Sequence, residues 1–280
     1  MNKYAMVLKY LKKRAGLTKR ADPRFKGVHD PRYVAGVFDP AIHSNDSRAN
    51  SVHFDSPEGK ALLAYRDTGS ASKLNYIYDM LRYFQNNDPK AYQMHKARLL
   101  PMINATTKNV KQHTKDLATD AIKMWESFRS NPYQAKIKGK NGQIVLDKPT
   151  IGYGTTVIDG KPVTMDTAPI TKERATQLLQ DWIAQKTLPD LRAAYGSLLE
   201  NMTHGQRAAL TSLGYNSPKS MSPTKSIVQR IRNGEDVGTV ISEEFPHWNK
   251  VRDENKKKVV SPGLTNRRNK ETSLAQTGTL

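Results

Sequence analysis

The sequence predicts an α+β fold: a mainly helical domain with a small β-hairpin lobe, preceded by a mostly helical and loop-containing N-terminal extension. Three observations predict it. Apolar residues recur at helical spacing through most of the chain beyond residue 105. An Asn141-Gly142 pair sits between two alternating segments, the strongest short-range hairpin signal. The chain has 280 residues and no cysteine, so it can bury a sizeable core without disulfide staples. Domains are expected at 1–110 and 111–280.

Taken in order, Met1–Leu17 places Tyr4, Val7, Leu8 and Leu11 on one helical face and lysines on the other. It has no uninterrupted apolar core and no small-residue cleavage site, so it is not a secretory signal. Two readings stand: a packed helix, or a basic amphipathic helix that docks on a membrane or a partner. Residues 20–70 read as loop-rich, because Asp22-Pro23, Asp30-Pro31 and Asp39-Pro40 open turns. His29, His43 and His53 lie near Asp30, Asp46 and Asp55, as turn-capping polar groups or as a metal site. The HExxH spacing is absent, and no metal or other cofactor is expected. Leu74, Ile77, Tyr78, Leu81 and Phe84 predict a helix, facing the core or presenting an aromatic platform to a ligand.

Ala118, Ala121, Ile122, Trp125 and Phe128 form the next helical stripe, which Asn131-Pro132 is expected to stop. A hairpin follows over 136–147, and Thr150–Gly154 is a strand ending in a glycine-permitted turn. Thr171 is a candidate cap for a helix carrying Ala175, Leu178, Leu179, Trp182 and Ile183. Thr203-His-Gly-Gln206 reads as a capping box opening a helix through Ala209, Leu210 and Leu213. Ile227, Val228 and Ile231 predict a helix closed at Gly234. Val237, Val240, Ile241 and Phe245 predict another, and a last helix runs from Gly263 to about Ala275.

Composition bounds the function. The formal net charge is +19, spread as +11 before residue 119 and +8 after it. Such a surface attracts a polyanion: nucleic acid, an anionic membrane, or bacterial wall polymers. No aromatic–glycine motif supports a specific nucleic-acid partner. Absence of cysteine excludes disulfides, thiolate zinc sites and a cysteine nucleophile. No apolar run approaches the roughly 20 residues of a membrane span.

Glu126 stands out by position. It is four residues after Ile122 and beside Trp125, near the end of its helix and away from the favourable N-terminal dipole. A carboxyl half-buried against an aromatic ring is what a general acid working near neutrality requires. The alternative is a Glu paired with Arg129 on a solvated face.

Glu126-Ser-Phe-Arg129, Tyr133 and Thr150-Ile-Gly-Tyr-Gly154 resemble the active-site segment of phage-type lysozymes, glycoside hydrolase family 24. Further segments are similar to that family in the same order. They are Thr203-x-x-Gln206-Arg-Ala-Ala-Leu210 with Gly214-Tyr-Asn216, and Thr224-Lys-Ser-Ile-Val228 with Asn233-Gly234. Pro246-x-Trp248-Asn249 and Pro262-Gly-Leu264-x-x-Arg267-Arg268-x-x-Glu271 complete the set. The resemblance covers about residues 115–280 and does not extend to 1–110.

The resemblance implies cleavage of the β-1,4 bond between N-acetylmuramic acid and N-acetylglucosamine in peptidoglycan. It makes Glu126 the acid that protonates the leaving oxygen and places Thr150 beside the attacking water. It assigns Tyr133, Tyr153, Asn216 and Arg268 to substrate binding. It also implies that an arginine of the Arg267-Arg268 pair holds the catalytic Glu, and spacing leaves open which.

The sequence departs from the family at the second carboxylate, whose place is taken by Ala135. The segment between Glu126 and Thr150 is lengthened by the hairpin. With Asn141-Gly142 as a two-residue turn, Lys140 pairs with Gln143 and Asp147 lies opposite Lys136, with Lys148 opposite Ala135. Asp147 then replaces the missing Asp in space, or it pairs with Lys136 on a strand face turned from the cleft. The family often has His where Thr155 stands, which bears on local packing.

The expected function is therefore a phage muramidase with an N-terminal extension, acting in host lysis or carried in the virion for infection. Made in the host cytoplasm without a signal peptide, it would act on the wall. Its expected partners are peptidoglycan and, through residues 1–110, other phage particle proteins or the wall itself, with membrane contact through residues 1–17. Two alternatives compete. A lytic transglycosylase would use Glu126 alone, and a non-catalytic phage structural protein would keep a decayed lysozyme domain.

Overall fold

The computed structural model describes residues 56–134, 136–138, 144–252 and 257–280. The expectations for residues 1–17, for the Asp-Pro turns, for His29, His43 and His53, for Ala135 and for the Asn141-Gly142 turn lie outside the described residues. The chain divides into two units at Lys111/Gln112.

In the first unit, helix α1 (Pro57–Thr68) starts where Ser56 accepts from the Gly59 amide. It stops at Gly69, whose φ of 76° is the left-handed conformation that glycine adopts without strain. This helix corrects the reading of 20–70 as loop. A Ser cap with proline in the first turn is a start signal, and Leu62 and Tyr65 supply a buried face. A 3₁₀ turn over Ala71–Leu74 leads into α2 (Asn75–Asn87). There Leu74, Ile77, Leu81 and Phe84 are buried as the spacing predicts, whereas Tyr78 faces solvent. Helix α3 (Pro89–Lys123) supplies Leu99, Met102, Ile103 and Val110 to the same core before crossing the unit boundary.

In the second unit α3 closes at Lys123, earlier than the Asn131-Pro132 stop that its stripe predicts. The last turn tightens where the Trp125 amide donates to the Ile122 carbonyl at 2.9 Å. Pro132 instead lies in strand β1 (Arg129–Tyr133). The spacing misleads because Phe128, beyond the end of the helix, still reaches the core, its ring 5.7 Å from that of Tyr153.

Strand β1 pairs antiparallel with β4 (Thr150–Gly152), with Arg129 opposite Gly152 and Tyr133 opposite Thr150. The ladder is irregular between those pairs, because β1 spends four residue steps where β4 spends two. Between them stand β2 (Lys136–Lys138) and β3 (Ile144–Leu146). Their register is Lys136 to Leu146, Ile137 to Val145 and Lys138 to Ile144. This corrects the expected pairing of Lys136 with Asp147. An odd number of residues, 139–143, separates the two strands, so the register slips by one relative to a two-residue turn.

A second hairpin, β5 (Val157–Ile158) and β6 (Lys161–Pro162), turns at Asp159-Gly160, with φ of 49° and 79°. An Asp-Gly pair with both residues at positive φ is the favoured two-residue hairpin turn.

The rest is mainly helical, with one further hairpin. Thr171 caps α4 (Lys172–Trp182) by accepting from the Arg174 amide. Ala175, Leu178, Leu179 and Ile183 are buried, but Trp182 is 49% exposed, off the stripe it was expected to join. A π-helical turn over Ile183–Thr187 joins α4 to α5 (Leu188–Tyr195), and the short α6 (Leu198–Asn201) follows. Helix α7 (His204–Asn216) opens with the complete capping box of Thr203 and Gln206. Its Ala208–Gly214 stretch is buried on every side, which makes α7 the central helix of this unit. Helices α8 (Ser226–Arg232) and α9 (Val237–Glu244) cover it with Ile227, Val228, Ile231, Val240 and Ile241. A hairpin of β7 (Lys250–Arg252) and β8 (Lys258–Val260) precedes α10 (Pro262–Thr277).

Helices α7 and α10 approach closely because Gly205 has no side chain. A Cβ there would come within 2.1 Å of the Leu274 carbonyl oxygen. This contact sets how far the polar residues of α10 reach along α7.

Candidate active site

Glu126 sits in the turn between α3 and β1, its side chain 29% exposed. Its Oε1 accepts from Arg267 Nη1 at 2.9 Å. Among the described residues Oε2 has no hydrogen-bond partner. The solvated pair with Arg129 does not form; the Arg129 guanidinium lies over the Tyr133 ring, 4.6 Å from its centroid.

Arg267 is 5% exposed and its three nitrogens go to three groups. Nη1 takes Glu126, Nε donates to Glu271 Oε1 at 3.0 Å, and Nη2 donates to Ser212 Oγ at 3.3 Å. Ser212, buried in α7, donates its own hydroxyl to Glu271 Oε1 at 2.5 Å. Arg268 is 1% exposed and turns the other way along α10. It donates from Nη2 to Asn216 Oδ1 at 3.1 Å and to Glu271 Oε1 at 3.2 Å, and its Nε lies 3.0 Å from Glu271 Oε2. Burial pushes the Arg268 guanidinium down to about 10, against the pull of Glu271. Burial pushes the Glu271 carboxyl up, against Arg268 and Arg267.

Thr150 opens β4, and its Oγ1 donates to the Tyr133 carbonyl at 3.4 Å, tying the two paired strands at the lobe's base. Gly152 lets β4 lie against α4: its φ is 66°, and a Cβ would meet Ala175 Cβ at 3.0 Å. Tyr215, on α7, donates its hydroxyl to the Tyr153 carbonyl at 2.7 Å. Burial raises the Tyr215 hydroxyl, and the charge of Glu126 adds to that rise. Tyr215 therefore lies in the electrostatic field of the carboxylate and ties α7 to the turn after β4.

A phage lysozyme family model matches residues 123–271, more than half of the chain. The chain belongs to the phage lysozyme family. It is a glycoside hydrolase that degrades peptidoglycan. The solved structures it resembles include an endolysin from Escherichia coli O157:H7 phage FAHEc1. That endolysin is 31% identical over 58% of this chain and 92% of the other, with a TM-score of 0.42. The muramidase domain of SpmX from Asticaccaulis excentricus is 21% identical over 57% of this chain and 95% of its own, with a TM-score of 0.43. A phage P22 lysozyme is 21% identical over 57% and 95%, with a TM-score of 0.42. No curated protein matches the chain.

The residues expected in the lysozyme's site fall into two layers. Glu126, Tyr133, Thr150 and Asn216 are half-buried. Tyr153 and Arg268, expected to bind substrate, are 3% and 1% exposed. A side chain so enclosed presents no surface to a saccharide; Tyr153 packs on Phe128 and Arg268 braces Asn216 and Glu271. Asp147 is exposed, one residue beyond the last pair of the β2–β3 ladder. Its carboxylate accepts from the Lys148 amide at 2.7 Å, and its carbonyl accepts from Gln134 Nε2 at 3.2 Å.

Sequence reading missed Ser212, and a signal existed: a serine enclosed by Ala208, Ala209, Leu210 and Leu213 is a buried hydroxyl that needs a partner. Among the described residues no group of three His, Asp or Glu is placed to hold a metal ion, and no helix is long and apolar enough to cross a membrane.

Proposed function

We propose that Glu126 is the general acid that cleaves the β-1,4 bond between N-acetylmuramic acid and N-acetylglucosamine. The observation that carries this reading is the asymmetric tether of its carboxyl. Oε1 is fixed by Arg267 while Oε2 is unclaimed, at the junction of the helical body and the hairpin lobe. In the step, water attacks the anomeric carbon and the C–O bond breaks. The electron pair goes to the leaving oxygen, which takes the proton of Glu126, while the attacking water gives up its proton to a base on the opposite face of the sugar. The Arg267 guanidinium then faces the new carboxylate at hydrogen-bond distance. Thr150 is assigned to the water side, and Tyr133 and Asn216 to sugar contact. Tyr153 and Arg268 support these groups from beneath.

Asp147 is the candidate base in place of the aspartate lost at Ala135. An inverting hydrolase holds its two carboxyls roughly 6.5–9.5 Å apart. Asp147→Asn is expected to cut activity strongly, and near-normal clearing by that variant removes Asp147 from the mechanism.

The deciding experiment is turbidity clearing of purified cell walls by the full chain and by Glu126→Gln, with analysis of the products. Clearing lost in the variant, with reducing N-acetylmuramic ends from the parent enzyme, supports hydrolysis by Glu126. Anhydro-muramic ends assign the chain to lytic transglycosylation, and clearing that persists in Glu126→Gln overturns the assignment. Residues 1–110 precede the family match and carry a basic excess suited to docking on the wall or on other phage proteins. That arrangement fits a lysin used at host lysis or carried in the virion.

A further inference from the structure

We propose that Arg268 and Glu271, neither of which touches Glu126, set the pH range of the lysozyme by fixing the net charge buried beneath its acid. The proposal rests on Glu126 being the general acid and adds a role for the layer under it.

The charges beneath Glu126 can be counted. Arg267, Arg268 and Glu271 are 5%, 1% and 1% exposed, so their charges are poorly screened by water. Two guanidinium groups and one carboxylate leave one positive charge, and the Glu126 carboxylate closes the account at zero. Glu271 is the hub: its Oε1 accepts from Arg267 Nε, Arg268 Nη2 and the Ser212 hydroxyl. Among the described residues Arg268 Nη1 has no hydrogen-bond partner, so the Arg268 charge is answered chiefly by Glu271. The other groups near Glu126 are Tyr215 on α7 and Tyr133 on β1, which lies in the field of Tyr215. Both are phenols, uncharged near neutrality. Further cations on these elements are Arg129, stacked on Tyr133, and Lys123, over the Tyr153 ring and paired with Asp120. The α10 residues therefore fix the charge that the Glu126 carboxyl faces through Arg267.

Changing the count shifts that background in a known direction. Glu271→Gln adds one uncompensated positive charge and favours the carboxylate of Glu126. The alkaline limb of activity should then move to lower pH by about one unit, an estimate for one charge several ångströms away at a high effective dielectric. Arg268→Gln removes a positive charge and should move the same limb upward. The double variant Arg268→Gln with Glu271→Gln restores the original count and should return the limb to its starting place.

The test is the pH profile of kcat and KM on soluble peptidoglycan fragments for the full chain and these variants, with folding checked by circular dichroism. Opposite shifts in the single variants and their cancellation in the double variant are the expected result. A purely structural role predicts falling activity at every pH, worst in the double variant, with no movement of the limb; that result overturns the proposal. Ser212→Ala removes two hydrogen bonds, to Glu271 and from Arg267, and no charge, and should lower kcat without moving the limb. Should a single variant fail to fold, the charge-preserving Arg268→Lys must leave the limb in place, and a shift there also overturns the proposal. Loss of activity in Glu126→Gln beside an unmoved limb in Glu271→Gln refutes this inference alone. Activity surviving in Glu126→Gln refutes the reading beneath it.

Discussion

Arg267 Nη1 lies 2.9 Å from Glu126 Oε1, joining the turn after α3 to the last helix across 141 residues of chain. The bond forms because Arg267 is anchored twice below, by Glu271 and Ser212, so a single nitrogen is left to reach upward. The arginine thus places the carboxyl as well as balancing its charge.

Replacing Arg267 by lysine should cost activity more than binding. An ammonium keeps the charge but lacks the planar fork that meets three acceptors at once. Wall clearing by Arg267→Lys is expected to fall by about 100-fold in kcat, the scale for a catalytic group misplaced by about 1 Å, with KM little changed. Steady-state kinetics on soluble fragments check this, and parent-level kcat would show the fork to be dispensable.

Gly205→Ala should destabilise the fold. The added methyl would meet the Leu274 carbonyl at 2.1 Å, backbone that can retreat only by parting α7 from α10. Overpacking of this kind costs about 1–3 kcal/mol. Thermal denaturation should show a lowered midpoint, with activity declining as the α10 residues lose their alignment with α7. An unchanged midpoint would mean that the crossing is looser than drawn.

Asp236 supplies a pH-dependent contribution. It caps α9 by accepting from the Thr239 amide at 2.8 Å and the Thr239 hydroxyl at 2.9 Å, and these bonds hold its carboxyl below the usual range. A carboxyl that titrates lower in the folded state stabilises fully above its unfolded value, near 3.9, and loses that effect as pH falls through the folded value. The site is exposed, so Asp236→Ala should cost only about 0.5–1 kcal/mol near neutrality. The gap between the two proteins should close as pH drops below about 4. Urea titrations at several pH values measure it; a gap that stays constant into acid excludes the carboxylate as its source.

Much of the helical unit was legible in the sequence because its signals are local. The Thr203–Gln206 box, the Thr171 cap, the closing Gly234 and the apolar periods of α4, α7, α8 and α9 depend on residues within a turn or two of each other. Where such a signal misled, a distant contact had overridden it. The period through Trp125 and Phe128 continued although the helix had ended, because Phe128 found Tyr153 from the segment after it. The Asp159-Gly160 turn, with both residues at positive φ, is a local signal of the same kind.

The sequence by itself determined the fold class, the basic surface and the segment that resembles a lysozyme. It also marked Glu126 as the carboxyl beside an aromatic ring. Tertiary structure alone decided which arginine meets Glu126. Adjacent residues on a helix point about 100° apart, so Arg267 and Arg268 face different neighbours, and the α7–α10 approach at Gly205 sets which neighbour each one finds. It alone also decided the strand register that leaves Asp147 past the end of its ladder. Register depends on how many residues the connecting turn uses, and a shift of one sends a side chain to the opposite face.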